Sequence, residues 1–168
     1  MGRQMTHIVA GGMAPAFSLK GPDGKGYSLS SLLELGPVVL AFFKISCPVC
    51  QFTLPFLERL YQRYGGDGIS FLGIGQDDAR ATKQFAERHG VTFPVVADES
   101  HYPVSNAYGL TNVPTLFLVE PSGKARLVGM GFDKKDLQTI AARLAEYKQT
   151  ASAPLFRPDE AVPAHKPG

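Results

Sequence analysis

The chain has no run of roughly 18 consecutive apolar residues, the length that a membrane-crossing helix needs. Nothing in it is expected to span or sit on a membrane. It also lacks a marked excess of either charge. Its 17 basic and 15 acidic residues leave a formal net charge of +2, too little to argue for nucleic acid or an anionic surface as a partner. The first residues, Met1-Gly2-Arg3-Gln4-Met5-Thr6-His7, have no long apolar stretch of the kind a secretory leader carries. The expected location is therefore cytoplasmic, or exported if a leader was removed. Histidine is scarce, and His7, His89, His101 and His165 are scattered without metal-ligand spacing. Gly73-Ile74-Gly75 lacks the third glycine of a dinucleotide loop. Neither a metal nor a nucleotide cofactor is expected. What the chain does have is core material: 168 residues, 44% hydrophobic and 19% charged, within the range of one compact domain.

Cysteine is scarcer still, and its placement carries the most information. The only two, in Cys47-Pro48-Val49-Cys50, sit three positions apart directly after an apolar run. That run, Pro37-Val38-Val39-Leu40-Ala41-Phe42-Phe43, is short, continuous and rich in β-branched and aromatic residues, as a fully buried strand is. From Pro48 the spacing turns helical, with Phe56, Leu57, Leu60, Tyr61 and Tyr64 on one face. Cys47 then falls near a helix N-cap and Pro48 at the first helical position, where a missing N–H is harmless. The unpaired amides of a first helical turn and the positive end of the helix dipole stabilise an anion. A thiol placed there has its thiolate, the reactive form, favoured. Cys50, one turn on, is more shielded and suits a resolving thiol. A buried structural pair or half of a zinc site are the alternatives, and zinc would need two further ligands. The strand–Cys-x-x-Cys–helix context favours redox chemistry.

The remaining pattern is α/β. Phe17-Ser18-Leu19 and Gly26-Tyr27-Ser28-Leu29 predict a small hairpin around Pro22-Asp23-Gly24, and Ser30 to Glu34 a short helix closed by Gly36-Pro37. Gly65-Gly66-Asp67-Gly68 ends the cysteine helix, and Ile69 to Ile74 is the next strand. Asp77 and Asp78 open a helix with Ala81, Phe85 and Ala86 facing inward, the acids suiting its first turn, and His89 at its end. Val95-Val96-Ala97 is a short strand, and Val104 to Tyr108 a short helix. Thr115 to Val119 and Ala125 to Val128 form a hairpin around Glu120-Pro121-Ser122-Gly123. The last helix starts near Asp133 with Leu137, Ile140, Ala141, Leu144 and Tyr147 on one face. Three segments result: an N-terminal extension over 1–12, a domain over 13–148, and a proline-rich tail over 149–168 that is expected to be extended or disordered, or to dock on the domain.

With the cysteine pair, several short pieces in fixed order make the chain resemble the thioredoxin-like superfamily, in the branch holding thiol-disulfide reductases and peroxiredoxins. They are Pro15-Ala16-Phe17-Ser18-Leu19, Gly73-Ile74-Gly75, Phe93-Pro94-Val95-Val96-Ala97-Asp98, Tyr108-Gly109, Val113-Pro114-Thr115, Phe117-Leu118-Val119 and Gly123-Lys124. The resemblance covers roughly Met13 to Tyr147. It implies a thioredoxin-like fold: a central mixed β-sheet flanked by helices, with an N-terminal β-hairpin extension. It also implies a cis Val113-Pro114 bond lying against the cysteines, with Val113, Pro114 and Thr115 binding substrate and the Val113 backbone pairing with an extended one.

Two enzymatic chemistries fit that resemblance, both in cell redox homeostasis. In a thiol-disulfide oxidoreductase, Cys47 attacks a protein or small-molecule disulfide and Cys50 resolves the mixed disulfide, with a thiol reducing system as second partner. In a peroxiredoxin-like peroxidase, peroxide oxidises Cys47 to a sulfenic acid that Cys50 resolves. The flanks favour the first. Peroxiredoxins carry threonine or serine three residues before the reactive cysteine and proline seven before it, where this chain has Lys44 and Leu40. Arg126 stands where a peroxiredoxin keeps a thiolate-polarising arginine. Thioredoxin's buried aspartate is replaced by Ala41, the glutamate of many exported reductases by Thr53, and the flanking tryptophans are absent, the chain having none. Lys44 would favour the Cys47 thiolate if its ammonium reaches the sulfur. A non-enzymatic adaptor is the third reading; it has no need of both cysteines at a helix start.

Overall fold

The computed structural model describes residues 8–168, so the expectation drawn from residues 1–7 lies outside the described residues. The chain begins with a two-stranded hairpin, β1 (Ser18–Lys20) and β2 (Gly26–Ser28), followed by α1 (Leu29–Leu35). The central element is β3 (Val38–Phe43), whose six residues are all buried. It leads to α2 (Pro48–Tyr64), β4 (Ser70–Gly75), α3 (Ala79–Arg88), β5 (Val95–Ala97) and α4 (Pro103–Ala107). Then come β6 (Thr115–Val119), β7 (Ala125–Met130), β8 (Phe132–Asp133), α5 (Lys134–Tyr147) and β9 (His165–Lys166).

Five strands form one mixed sheet in the order β5-β4-β3-β6-β7. β3 pairs parallel with β4 and antiparallel with β6, β4 parallel with β5, and β6 antiparallel with β7. The continuous apolar run of β3 reflects burial on both faces. Its alternate residues divide between two cores. Val39, Ala41 and Phe43 join Leu54, Leu57 and Leu60 of α2, Phe85 of α3, and Leu137, Ile140 and Leu144 of α5. Val38, Leu40 and Phe42 face the opposite way, onto Phe17, Leu29 of α1, and Val104 and Tyr108.

Side-chain caps set where the helices begin. Ser28 caps α1, Asp78 caps α3 through a 2.7 Å bond from the Ala81 N–H, and Asp133 caps α5. The fully buried Asp98 accepts from the N–H groups of Val104 and Ser105, so this acid of the Phe93-to-Asp98 motif holds the first turn of α4. Gly73 and Gly75 are packing residues. A Cβ on Gly75 would lie 2.8 Å from Thr82 of α3, and one on Gly73 2.9 Å from Val95.

Two inward-facing expectations shift. Thr82, not Ala81, is the buried residue of the first α3 turn, because it packs over the bare backbone of Gly75. Tyr147 is exposed rather than buried. It is the last residue of α5, and its hydroxyl lies beside Gly36 at the rim of the core.

The tail lies on the domain. Leu155 and Phe156 are buried against α2, where Phe156 packs on Phe56 and Phe132. Arg59 of α2 donates to the Leu155 carbonyl and pairs with Glu160 at 2.8 Å, and Arg63 donates to the Ala153 and Pro154 carbonyls. Beyond these anchors β9 pairs antiparallel with β8. No described helix is long and apolar enough to cross a membrane.

Candidate active site

β3 runs into a short loop, and α2 starts at Pro48. Cys47 is the N-cap residue of α2, extended at φ −88° and ψ 113°, and its Sγ accepts the Cys50 N–H at 3.1 Å. An oxygen side chain normally fills that role; here a sulfur does. One of the unpaired amides of the first turn is thus aimed at the atom that carries negative charge when the thiol reacts. Pro48 occupies the first helical position, as its missing N–H allows. Both cysteines are thiols, Cys47 half-buried and Cys50 fully buried.

Burial pushes the Cys50 thiol far above its ordinary value. The side-chain hydrogen bond the Cys50 thiol donates to Cys47 and the charges of Cys47 and Asp77 add to this, and a backbone hydrogen bond at Lys44 opposes it. Burial, the largest cause, persists once Cys47 is tied up in a mixed disulfide. Because only the thiolate attacks, resolution by Cys50 is expected to slow about tenfold for each unit by which pH falls. The decay of a Cys47–thionitrobenzoate adduct, followed between neutral and alkaline pH, checks this. A flat profile would mean that deprotonation of Cys50 does not limit the step.

The second wall of the site comes from the β6 entry. The Val113–Pro114 peptide is cis. The Val113 carbonyl lies 3.6 Å from the Cys47 Sγ. Thr115 reaches the same loop, but its buried hydroxyl donates to the Asn112 carbonyl at 2.8 Å and so braces the loop. Lys44 meets the pair through its backbone, its carbonyl accepting from the Cys47 N–H at 3.3 Å. Lys44 also lines a hollow of about 230 Å³ with Gln76, Leu110, Thr111, Asn112 and Val113.

Arg126 is not brought to the cysteines. The β6–β7 register pairs Thr115 with Met130 and Val119 with Ala125, which sets Arg126 near the far end of the ladder, about 13 Å of strand from the Pro114 end. There it forms an ion pair with Glu120 at 3.0 Å. Antiparallel return from a tight turn forces this placement. The two positions that lack a carboxylate are filled apolarly or internally: Ala41 is buried between β4 and β6, and the Thr53 hydroxyl donates to the Val49 carbonyl at 2.7 Å.

One acid near the pair escaped the sequence reading. Asp77 does not enter the first turn of α3. Its Oδ2 accepts the Ile45 N–H at 2.9 Å, tying the end of β4 to the loop that presents Cys47. Two acids in tandem just before a helix were the available signal, since only one of them can cap it. Among the described residues no group of three His, Cys, Asp or Glu side chains is placed to hold a metal ion.

The chain matches the AhpC/TSA family over residues 10–128. It belongs to that family. A thiol-disulfide oxidoreductase ResA from Geobacillus thermodenitrificans is 32% identical over 137 residues, spanning 80% of this AhpC/TSA chain and 78% of the relative. The thioredoxin domain of a thiol-disulfide oxidoreductase from Bacteroides vulgatus superposes with a TM-score of 0.71 at 22% identity, covering 81% of this chain and 97% of that one, a likeness of fold. Peroxidoxin BcpB from Mycobacterium tuberculosis superposes with a TM-score of 0.69 at 25% identity, covering 87% and 100% of the two chains. The fold of this AhpC/TSA protein is thus thioredoxin-like, a five-stranded mixed sheet between helices with an N-terminal antiparallel hairpin.

Proposed function

We propose that this AhpC/TSA protein is a thiol-disulfide oxidoreductase in which Cys47 attacks and Cys50 resolves. The carrying observation is the asymmetry of the pair: Cys47 Sγ caps α2 and takes the Cys50 amide, while Cys50 is sealed beneath it. The Cys47 thiolate attacks one sulfur of a substrate disulfide, forming a Cys47–substrate disulfide and expelling the other half as a thiolate. The Cys50 thiolate then attacks the Cys47 sulfur, closing the Cys47–Cys50 disulfide and releasing the second half. Two electrons pass from the protein to the substrate, and a thiol reducing system returns them. In a cytoplasm the pair is held reduced and acts as a reductant; an oxidising compartment would reverse the flow. Val113 and Pro114, whose peptide stands beside Cys47, are the proposed substrate-contacting residues.

A peroxidase would share both cysteines. Against it stand Lys44 in place of the hydroxyl residue and the engagement of Arg126 with Glu120. Reduced protein mixed with hydrogen peroxide in a stopped-flow experiment is expected to react at the rate of an ordinary free thiol. A far faster reaction would transfer the proposal to peroxide reduction.

A further inference from the structure

The tail does more than cover α2. Past the Leu155–Phe156 anchor it approaches the cysteine site, held by the Lys134 N–H bonding the Ala164 carbonyl at 2.9 Å and by the pairing of Phe132 with Lys166 and Asp133 with His165. The Lys166 ammonium sits 4.6 Å from the centre of the Phe52 ring, one turn along α2 from Val49. Gly131, whose N–H donates to the Pro114 carbonyl at 2.8 Å, has no room for a side chain, because a Cβ there would strike the Lys166 carbonyl and lie 3.0 Å from the Gly168 nitrogen. Gly168 itself rests on the site. A Cβ added to it would collide with the carbonyl oxygen of Val113 and lie 3.4 Å from the Pro114 nitrogen. The Val113 oxygen is also the one beside Cys47 Sγ.

An extended polypeptide that brings a disulfide to Cys47 must lie along the Val113 backbone, since strand addition uses main-chain groups of that kind. Gly168 is already there, and Lys166 holds it in place through its pairing with Phe132. A polar hollow formed with Lys44, Gln76, Thr111 and Asn112, about 230 Å³ in volume, also adjoins Val113. A hollow of that size takes a small thiol fragment.

We propose that the segment Lys166-Pro167-Gly168 is a specificity determinant: by occupying the Val113 backbone it excludes extended polypeptide disulfides and leaves Cys47 to low-molecular-weight disulfides that enter over Lys44, Gln76 and Asn112. The inference rests on the thiol-disulfide reading above. It assigns the tail a steric role against one class of substrate, which is how discrimination is achieved when attraction alone does not suffice. The exchange step is unchanged, with the small disulfide reduced to two thiols and the Cys47–Cys50 pair oxidised.

The test compares the full chain with two variants, Lys166→Pro and Gly168→Val. The first removes both the cation over Phe52 and the β9 N–H; the second forces residue 168 off Val113. Reduction of insulin and of glutathione disulfide is measured for each, with Asp159→Ala, an exposed tail position, as control. Both variants are expected to raise kcat/KM for insulin about tenfold and to leave glutathione disulfide within about twofold, with Asp159→Ala matching the parent. An insulin rate unmoved in both variants, or the two substrates moving together, overturns the proposal. Failure of the parent to reduce either disulfide faster than Cys47→Ser is a different result and removes the underlying oxidoreductase reading.

Discussion

Cys47→Ser is expected to lower disulfide exchange by on the order of a thousandfold or more while the fold survives, because a nucleophile is lost but a helix cap is not. Serine is among the preferred N-cap residues, so the Cys50 N–H keeps an acceptor where Sγ accepts it now. Cys50 offers no substitute. It is fully buried, and its thiol is held in the protonated form by that burial. Cys50→Ser is expected to separate the two steps: attack at Cys47 continues, and the protein accumulates as a mixed disulfide whose mass rises by one substrate half. Intact-mass measurement after a short exposure to a small disulfide reads both variants. Retention of most of the exchange rate by Cys47→Ser would sink the assignment of the nucleophile. Absence of a trapped adduct in Cys50→Ser would sink the assignment of the resolving thiol.

Phe132→Ala is expected to destabilise the protein by about 3–5 kcal/mol, the range for deleting a fully buried aromatic ring. The ring has no solvent exposure and meets Phe52 at 4.9 Å, Phe56 at 5.6 Å and Phe156 at 6.2 Å between centroids. Those neighbours belong to α2 and to the tail, while Phe132 itself leads into α5. A gap among three separate elements does not close by one side chain relaxing, so both the lost burial and the cavity are felt. Urea unfolding of the two proteins measures the difference. Phe156→Ala, on the irregular stretch of the tail that precedes β9, is expected to lose less. A loss below about 1 kcal/mol for Phe132→Ala would mean that the tail moves into the space.

The elements around the cysteines are legible in the chain itself, for local reasons. The unbroken apolar run to Phe43 belongs to a strand covered on both faces, and proline directly after Cys47 starts a helix at the position where proline is harmless. The hairpin around Glu120 to Gly123 and the cap at Asp78 are equally local. Val113-Pro114 was readable only through the ordered family resemblance, since nothing in its own composition distinguishes it from a proline at a strand entrance.

Other placements depend on distant parts of the chain. Arg126 has a suggestive position in the sequence, yet hairpin register carries it to the opposite end of the ladder from Pro114. Asp77 reads as a helix-opening acid, and only the approach of the Cys47 loop gives it the Ile45 amide to bind. The tail has the composition of an unstructured segment, with Pro154, Pro158, Pro163 and Pro167, and it contains only two large apolar residues in succession, Leu155 and Phe156. Phe156 finds a site made by Phe56 and Phe132, which lie 76 positions apart in sequence (132 − 56).

By itself the sequence determined the chemistry available: two thiols at the spacing of one helical turn, behind a buried strand, without a metal-ligand pattern or a nucleotide loop. Helix caps, strand burial and tight turns are decided by residues a few positions apart, so they can be read in order along the chain. The tertiary structure decided what surrounds that chemistry: the burial of Cys50, the Val113 carbonyl beside Cys47, the removal of Arg126, and Gly168 on the Val113 backbone. Each of these depends on segments far apart in sequence meeting in space, and such meetings are set by how whole layers pack rather than by any local preference.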